Sequence, residues 1–202
     1  VFPGEKGPSI RHLATIAGNG YRVKWLELGS HTGTHMDAPA HLLPEGKTLD
    51  QFPVSHFSGK AFIVSIPSGI KMIEVSLLEN YEKEIRSSSF FLILTGWSNY
   101  WGREQYFQDF PVLSEEAAHW LAGAKLHGIG LDTISADPVD SALLPIHHII
   151  LGAGLVIIEN LNFPRNFHAE SGIFHCFPLK ITGADGSPVR AVVQVDDKKT
   201  PD

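Results

Sequence analysis

The sequence is short of the features that staple a fold, cross a membrane or grip a polyanion. It has one cysteine, Cys176, in 202 residues, so no disulfide can form within the chain. A reducing compartment is the ordinary setting for such a chain. No signal-peptide pattern is legible, and the two readings together predict a cytoplasmic protein. No apolar run approaches the roughly 20 residues of a membrane-spanning helix; the longest candidate, Phe90 to Thr95, has the length of a strand. Basic residues are in deficit, with 16 Lys+Arg against 22 Asp+Glu and a formal charge of −6. Duplex binding needs clustered cations. The only basic pair near a terminus is Lys198-Lys199, so nucleic acid is excluded as the expected partner. Gly and Pro are scattered instead of pooled into a linker, and no repeat or low-complexity tract is present. One domain over residues 1–202 is therefore expected.

What the chain does have is apolar material and histidine. Hydrophobic residues make up 43% and charged residues 19%, with mean hydropathy +0.00. A chain of this length removes roughly 70% of its unfolded surface from water, enough for one good core. Alternation over Tyr21 to Leu28, and β-branched or aromatic runs at Lys60 to Ile66 and Phe90 to Thr95, predict strands. Ile73 to Ile85 reads as a helix stopped by Ser87-Ser88-Ser89. Ser114 is placed to cap a helix through Leu126, with Glu115 and Glu116 in its first turn. A short strand is expected over Ile129 to Asp132. Pro145 opens a helix that Gly152 and Gly154 end. Leu155 to Glu159 is the next strand. Cys176 to Ile181 and Val189 to Val195 read as closing strands joined by a turn at Asp185-Gly186. Helices and strands mix along the whole length, which makes the class α/β or α+β with a substantial sheet.

Eleven histidines are present, and the segment that carries chemistry is His31-Thr-Gly-Thr-His35-Met-Asp37-Ala-Pro-Ala-His41. Imidazole nitrogen and carboxylate oxygen are the ligand set of zinc and similar divalent ions. His35 and Asp37, two apart, share a face on an extended backbone. His31 and His35 would share a helical face, but Thr32, Gly33, Thr34 and Pro39 are poor helix material. A loop leaving the strand at Leu28 and bending at Gly33 folds His31 back toward His35 and Asp37 instead. His12, His56, His119, His127, His168 and His175 read as ordinary surface or core groups. Two further ligand candidates come later in the chain. One is His147 or its neighbour His148, which spacing alone does not separate. The other is Glu159, a carboxylate closing an apolar strand, where burial is costly without a partner or a metal. Asp137 precedes Pro138 and reads as a turn initiator outside the site. Trp97, Tyr100 and Trp101 form an aromatic group suited either to a pocket wall or to a core patch.

The run from His31 to His41 resembles the HxGTHxDxPxH signature of the cyclase-like metal-dependent hydrolases, a family that includes bacterial kynurenine formamidases and isatin hydrolases. The resemblance extends through Phe2-Pro-Gly-Glu5, with Glu5 where Asp is usual, through Leu94-Thr-Gly-Trp97, and through Gly130 to Asp137. It continues with His147 and Glu159 twelve positions apart, and ends at Pro188-Val-Arg-Ala191. It implies a swivelling β/β/α-type sandwich around a mixed sheet, with a short N-terminal strand before Phe2 that this sequence lacks. It implies His31, His35 and Asp37 as ligands of one metal, and a second ion shared by Asp37 and held by His147 and Glu159. His41 becomes the general acid/base and Phe2 a substrate contact; Trp97, from the aromatic group above, is the second substrate contact expected. The metal expected is Zn²⁺, as one or two ions, with Mn²⁺ as the alternative. The activity implied is hydrolysis of an amide C–N bond of a small molecule, foremost N-formylkynurenine to kynurenine and formate, in a homodimer or homotetramer. Opening of a lactam or lactone ring and a polyketide-type cyclase are the alternatives with the same apparatus. A non-catalytic metal protein is the reading from another class; structural zinc favours four closed ligands with Cys prominent, and this cluster has no Cys and a spare His.

Overall fold

The fold is described from a computed structural model covering residues 1–195; the Lys198-Lys199 pair lies outside them. The expected α/β class with a mixed sheet is what the chain adopts. Among the described residues no helix is long and apolar enough to cross a membrane. The chain opens with a hairpin of β1 (Ser9–Ala14) and β2 (Val23–Glu27), bridged by a turn of helix α1 (Ile16–Asn19). It then enters β3 (His35–Asp37) and β4 (Ser58–Ser65). Short β5 (Met72–Ile73), helices α2 (Val75–Leu78) and α3 (Glu82–Arg86) and strand β6 (Phe90–Leu94) follow. Next come β7 (Val112–Leu113), α4 (Glu115–Ala122), β8 (Gly128–Leu131), α5 (Pro145–Gly152) and β9 (Val156–Glu159). Strands β10 (Ser171–His175), β11 (Gly186–Pro188) and β12 (Val192–Gln194) complete the described chain.

Eight strands form one sheet in the order β11-β3-β9-β8-β6-β4-β10-β12. Its centre, β9-β8-β6-β4, is parallel, and β3, β10, β11 and β12 join antiparallel. Parallel strands buried on both faces need nearly unbroken apolar sequence, and β4 and β6 supply it as Ala-Phe-Ile-Val and Phe-Phe-Leu-Ile-Leu. The two-residue period sorts their side chains. Phe62, Val64, Phe91, Ile93 and Ile157 pack under α4 and α5 with Leu121, Ile146 and Ile150. Ala61, Ile63, Phe90, Leu92, Val156 and Ile158 fill the other face with Met36, Leu161 and Phe174.

Ser114 caps α4 by accepting from the Ala117 N–H, and Pro145 stands in the first turn of α5, as the sequence predicts. Helix α4 stops at Gly123, short of Leu126, and Lys125 takes a positive φ of 60°. Two expectations need larger correction. The helix over 73–85 is broken: Ile73 is recruited into β5 beside Leu113, and Tyr81 at φ −120°, ψ 16° separates α2 from α3. The stretch Cys176 to Ile181 makes only an isolated bridge, Pro178 to Val189. Pro178 has no N–H for a ladder, and the strand falls one step earlier, at β10.

His56 and His127 stack at 4.5 Å, with the His127 Nδ1–H donating to the His56 carbonyl. Burial, then the neighbouring His127, pushes the His56 pKa from 6.5 down to about 4, and its Nε2 is buried without a partner. Between those values the unfolded chain takes up a proton that the folded chain refuses, so folding stability falls as pH falls through that window. A His56→Phe variant should lose about 1–2 kcal/mol less stability than the parent between about pH 7 and pH 4, the figure being discounted for the half-exposed ring. Thermal melts of both proteins across that range check it.

Candidate metal centre

Strand β3 places His35 and Asp37 on one face, with Met36 on the other, as their spacing predicts. It lies between β9 and β11, so His35 stands opposite Glu159, and Asp37 opposite Gly186. The loop from β2 bends at Gly33, at φ +68°, and returns His31 to Asp37. Helix α5 brings in His147, which resolves the choice against His148. His35, Asp37, His147 and Glu159 are all at most 4% exposed.

Three imidazoles converge on the two carboxylates. His31 Nδ1 lies 2.6 Å from Asp37 Oδ1, and His35 Nε2 lies 3.3 Å from the same oxygen and 3.5 Å from Glu159 Oε2. His147 Nε2 lies 3.2 Å from Glu159 Oε1 and 3.6 Å from Asp37 Oδ2. Each ring is tied on its far side. His31 Nε2 meets Asp185 Oδ2 at 3.0 Å, His35 Nδ1 donates to the Gly33 carbonyl at 2.8 Å, and His147 Nδ1 donates to Asp137 Oδ2 at 2.7 Å. Tying the outer nitrogen fixes the tautomer and aims the inner one, which is how metal-binding histidines are held.

Burial opposes charge on His35, but Asp37 and Glu159 outweigh it and its pKa rises to about 9. The same contest, with Asp137 added, raises His147 well above the ordinary imidazole value. Burial works against the Asp37 carboxylate too, yet the surrounding imidazoles hold its pKa well down. A buried pair of carboxylates this close requires positive charge among them.

The residues fit a divalent cation. Asp37 Oδ2 is buried with no hydrogen-bond donor. Ligand atoms of His31, His35 and Asp37, and separately of Asp37, His147 and Glu159, lie within 4.8 Å of one another, with Asp37 common to both sets. An N/O donor set without thiolate suits zinc or manganese.

His41 stands on the open side, its ring 4.1 Å from His31 and 6.1 Å from His147, with Nδ1 3.7 Å from Asp185 Oδ2. Burial, then the opposing charges of His31 and His147, keeps its pKa below the ordinary value against the pull of Asp37 and Asp185. These groups line a cavity of about 270 Å³ whose other walls are Phe2, Ile134, Val139, Leu144, Ser135 and Ser141, with Glu5 beside them. Phe2 is therefore where the resemblance implies. Trp97 is not on that lining: it packs behind, against Tyr100, with its Nε1–H donating to the Tyr106 carbonyl. The core-patch reading of these aromatics holds for Trp97.

Two carboxylates were missed by spacing. Asp137, fully buried, accepts from the Ile146 and His147 amides as well as the His147 ring, so it anchors α5 and its ligand together. Asp185 touches both His31 and His41, and the Asp185-Gly186 pair read as a turn is its signal. At Gly186 a Cβ would come 2.5 Å from the His31 ring. Gly186→Ala should displace that ring and weaken metal binding by about 10- to 100-fold, the usual cost of disturbing a ligand's support; chelator competition measures it.

Comparison with known proteins finds relatives over most of the chain. The profile of the Cyclase family, described as "Putative cyclase", matches residues 3–138. The kynurenine formamidase of Bacillus cytotoxicus is 34% identical over 203 residues, covering 96% of this chain and 90% of that protein. That of Salinibacter ruber is 33% identical over 173 residues, covering 84% and 78%. The solved structure of isatin hydrolase A from Ralstonia solanacearum superposes with a TM-score of 0.79 at 25% identity, over 95% of this chain and 84% of that one.

Proposed function

The chain belongs to the Cyclase family, and on that premise we propose that it is a metal-dependent amidohydrolase of the arylformamidase type, cleaving N-formylkynurenine to kynurenine and formate in the cytoplasm. The observation that carries the reading is the joining of two ligand triads through one buried carboxylate, Asp37, in a cavity with His41 at its open side. His31, His35 and Asp37 would hold one ion and Asp37, His147 and Glu159 a second, Zn²⁺ before Mn²⁺. A bound divalent cation supplies Lewis acidity toward water and toward a carbonyl oxygen.

The remaining work falls to the chain's own groups. Phe2, Ile134, Val139 and Leu144 offer an apolar wall against which a flat aryl ring loses water and is oriented. His41, a free base near neutral pH because burial disfavours its charge, takes the proton of the attacking water and returns it to the departing aryl nitrogen. Asp185 lies on its Nδ1 side at 3.7 Å, a negative charge that favours the proton His41 carries in transit. The products are a carboxylic acid, formate here, and the free amine.

The same wall suits a bicyclic lactam, and the likeness in fold to an isatin hydrolase makes ring opening the second arm of the test. Elemental analysis of the purified protein with a hydrolysis screen of N-formyl arylamines against cyclic amides is the experiment. Turnover of N-formylkynurenine with equimolar formate is expected. Stoichiometric metal with no turnover of either panel would make the centre non-catalytic and overturn the proposal.

A further inference from the structure

The metal cavity is not the only hollow that Glu5 and His31 line. A second cleft, of about 450 Å³, adjoins it between Glu5, Lys6, Glu27, Leu28, Ser30 and His31, and the two share Glu5 and His31. The boundary between them is built locally. Residues Phe2 to Glu5 make a tight turn in which the Glu5 N–H donates to the Phe2 carbonyl at 3.1 Å. Pro3 stands at its second position and Gly4, at φ +90°, at its third, which is the pattern of a type II turn. The turn therefore holds Phe2 and Glu5 in fixed relation. Phe2 lines the metal cavity alone, and Glu5 lines both hollows.

Charge of both signs meets in the second cleft. Lys6 Nζ pairs with Glu27 Oε1, and among the described residues no ion pair engages Glu5. None of the three belongs to a ligand triad of the metal centre. We infer that this cleft is a subsite for a zwitterionic amino-acid tail. Glu5 takes the ammonium group of the tail and Lys6 its carboxylate, while the formamide of the same substrate lies in the metal cavity. The identity of the tail rests on the formamidase reading above.

Three properties of the cleft favour this ligand class. Glu5, Lys6 and Glu27 are all exposed, so a fully charged tail can enter without stripping either partner of water, which burial of a charge would penalise. An ammonium group has three donors, so Lys6 can hold Glu27 and a substrate carboxylate together. The free carboxylate of Glu5 attracts an amine and repels an acid, which sets a zwitterion above a simple carboxylic acid. In N-formylkynurenine the tail is joined to the ring beside the formamide, so a substrate with its ring against Phe2 extends the tail past Glu5. A bicyclic lactam has no such tail and draws nothing from the cleft.

Calorimetric binding of reaction products to the metal-loaded protein tests the subsite without turnover. Kynurenine should bind about 10-fold more tightly than o-aminoacetophenone, which keeps the ring and its carbonyl but lacks the tail; that is the scale of a charge-assisted contact open to solvent. Glu5→Gln should erase most of this preference. The same variant should bind the des-amino analogue of kynurenine more tightly than the parent does, because a repulsion has been removed. Opposite signs for two ligands of one shape are a result that a merely structural role for Glu5 does not give. Lys6→Ala should weaken kynurenine and the des-amino analogue alike. Equal affinity of the parent for kynurenine and o-aminoacetophenone, or an undiminished preference in Glu5→Gln, would overturn the subsite. Turnover is scored separately on N-formylkynurenine and o-formamidoacetophenone. A parent that prefers kynurenine yet hydrolyses neither formamide would refute the formamidase reading and leave the subsite standing. Hydrolysis of both with equal kcat/KM would do the reverse.

Discussion

His35→Ala should cost the protein its metal and its turnover in one step. His35 Nε2 reaches both carboxylates, at 3.3 Å from Asp37 and 3.5 Å from Glu159, and the Gly33 carbonyl holds its other nitrogen. Like His147 it is aimed at both carboxylates, and the backbone of β3 fixes it there. Without it, the triad of His31, His35 and Asp37 is reduced to two groups, too few to fix coordination geometry. The rate should fall by roughly 10⁶-fold or more, since catalysis of this kind accounts for most of the acceleration over uncatalysed hydrolysis. Metal content and turnover are measured on the same preparation, with circular dichroism to show that β3 still forms. A variant that binds metal with parental affinity would refute the ligand assignment.

The His41→Ala protein should behave differently, keeping its metal while losing about 10²–10⁴ in kcat, the usual share of a positioned acid/base. His41 lines the cavity but is absent from both Asp37 triads, grouping instead with His31 and Asp185, and its ring is 27% exposed, unlike the buried His35, Asp37, His147 and Glu159. KM should move little, because the apolar wall of Phe2, Ile134, Val139 and Leu144 is untouched. Near-parental kcat would remove His41 from the mechanism, and loss of metal would make it a ligand instead. The two variants together separate metal holding from proton transfer.

Much of this centre is local and so legible in sequence. His35 and Asp37 meet because a strand has a period of two, and the bend at Gly33 that returns His31 is written in the glycine. The parallel strands β4, β6 and β9 announce themselves as apolar runs, and Ser114 and Pro145 mark helix starts by capping chemistry. What escaped depends on distant pairing. Asp185 reaches His31 across 154 positions of sequence, a contact no spacing encodes. Asp137 looked like a turn residue beside Pro138, yet α5 folds back and turns its carboxylate into an anchor for His147. Ile73 has the apolar character of a helix face, but pairing with β7 claims it. Trp97 shows the reverse case, a residue whose place in an aromatic group suggested a substrate contact and which packs off the cavity lining.

Strand β3 has one more consequence, for the order in which the molecule is made. Its neighbours β9 and β11 lie more than half the chain away in sequence, at Glu159 and Gly186. During synthesis His31, His35 and Asp37 leave the ribosome long before either neighbour exists. Pairings this remote carry a large loop-closure cost and form late. The set of Asp37, His147 and Glu159 is therefore complete only after β9 has been made, so the two halves of the centre are assembled at different stages of synthesis.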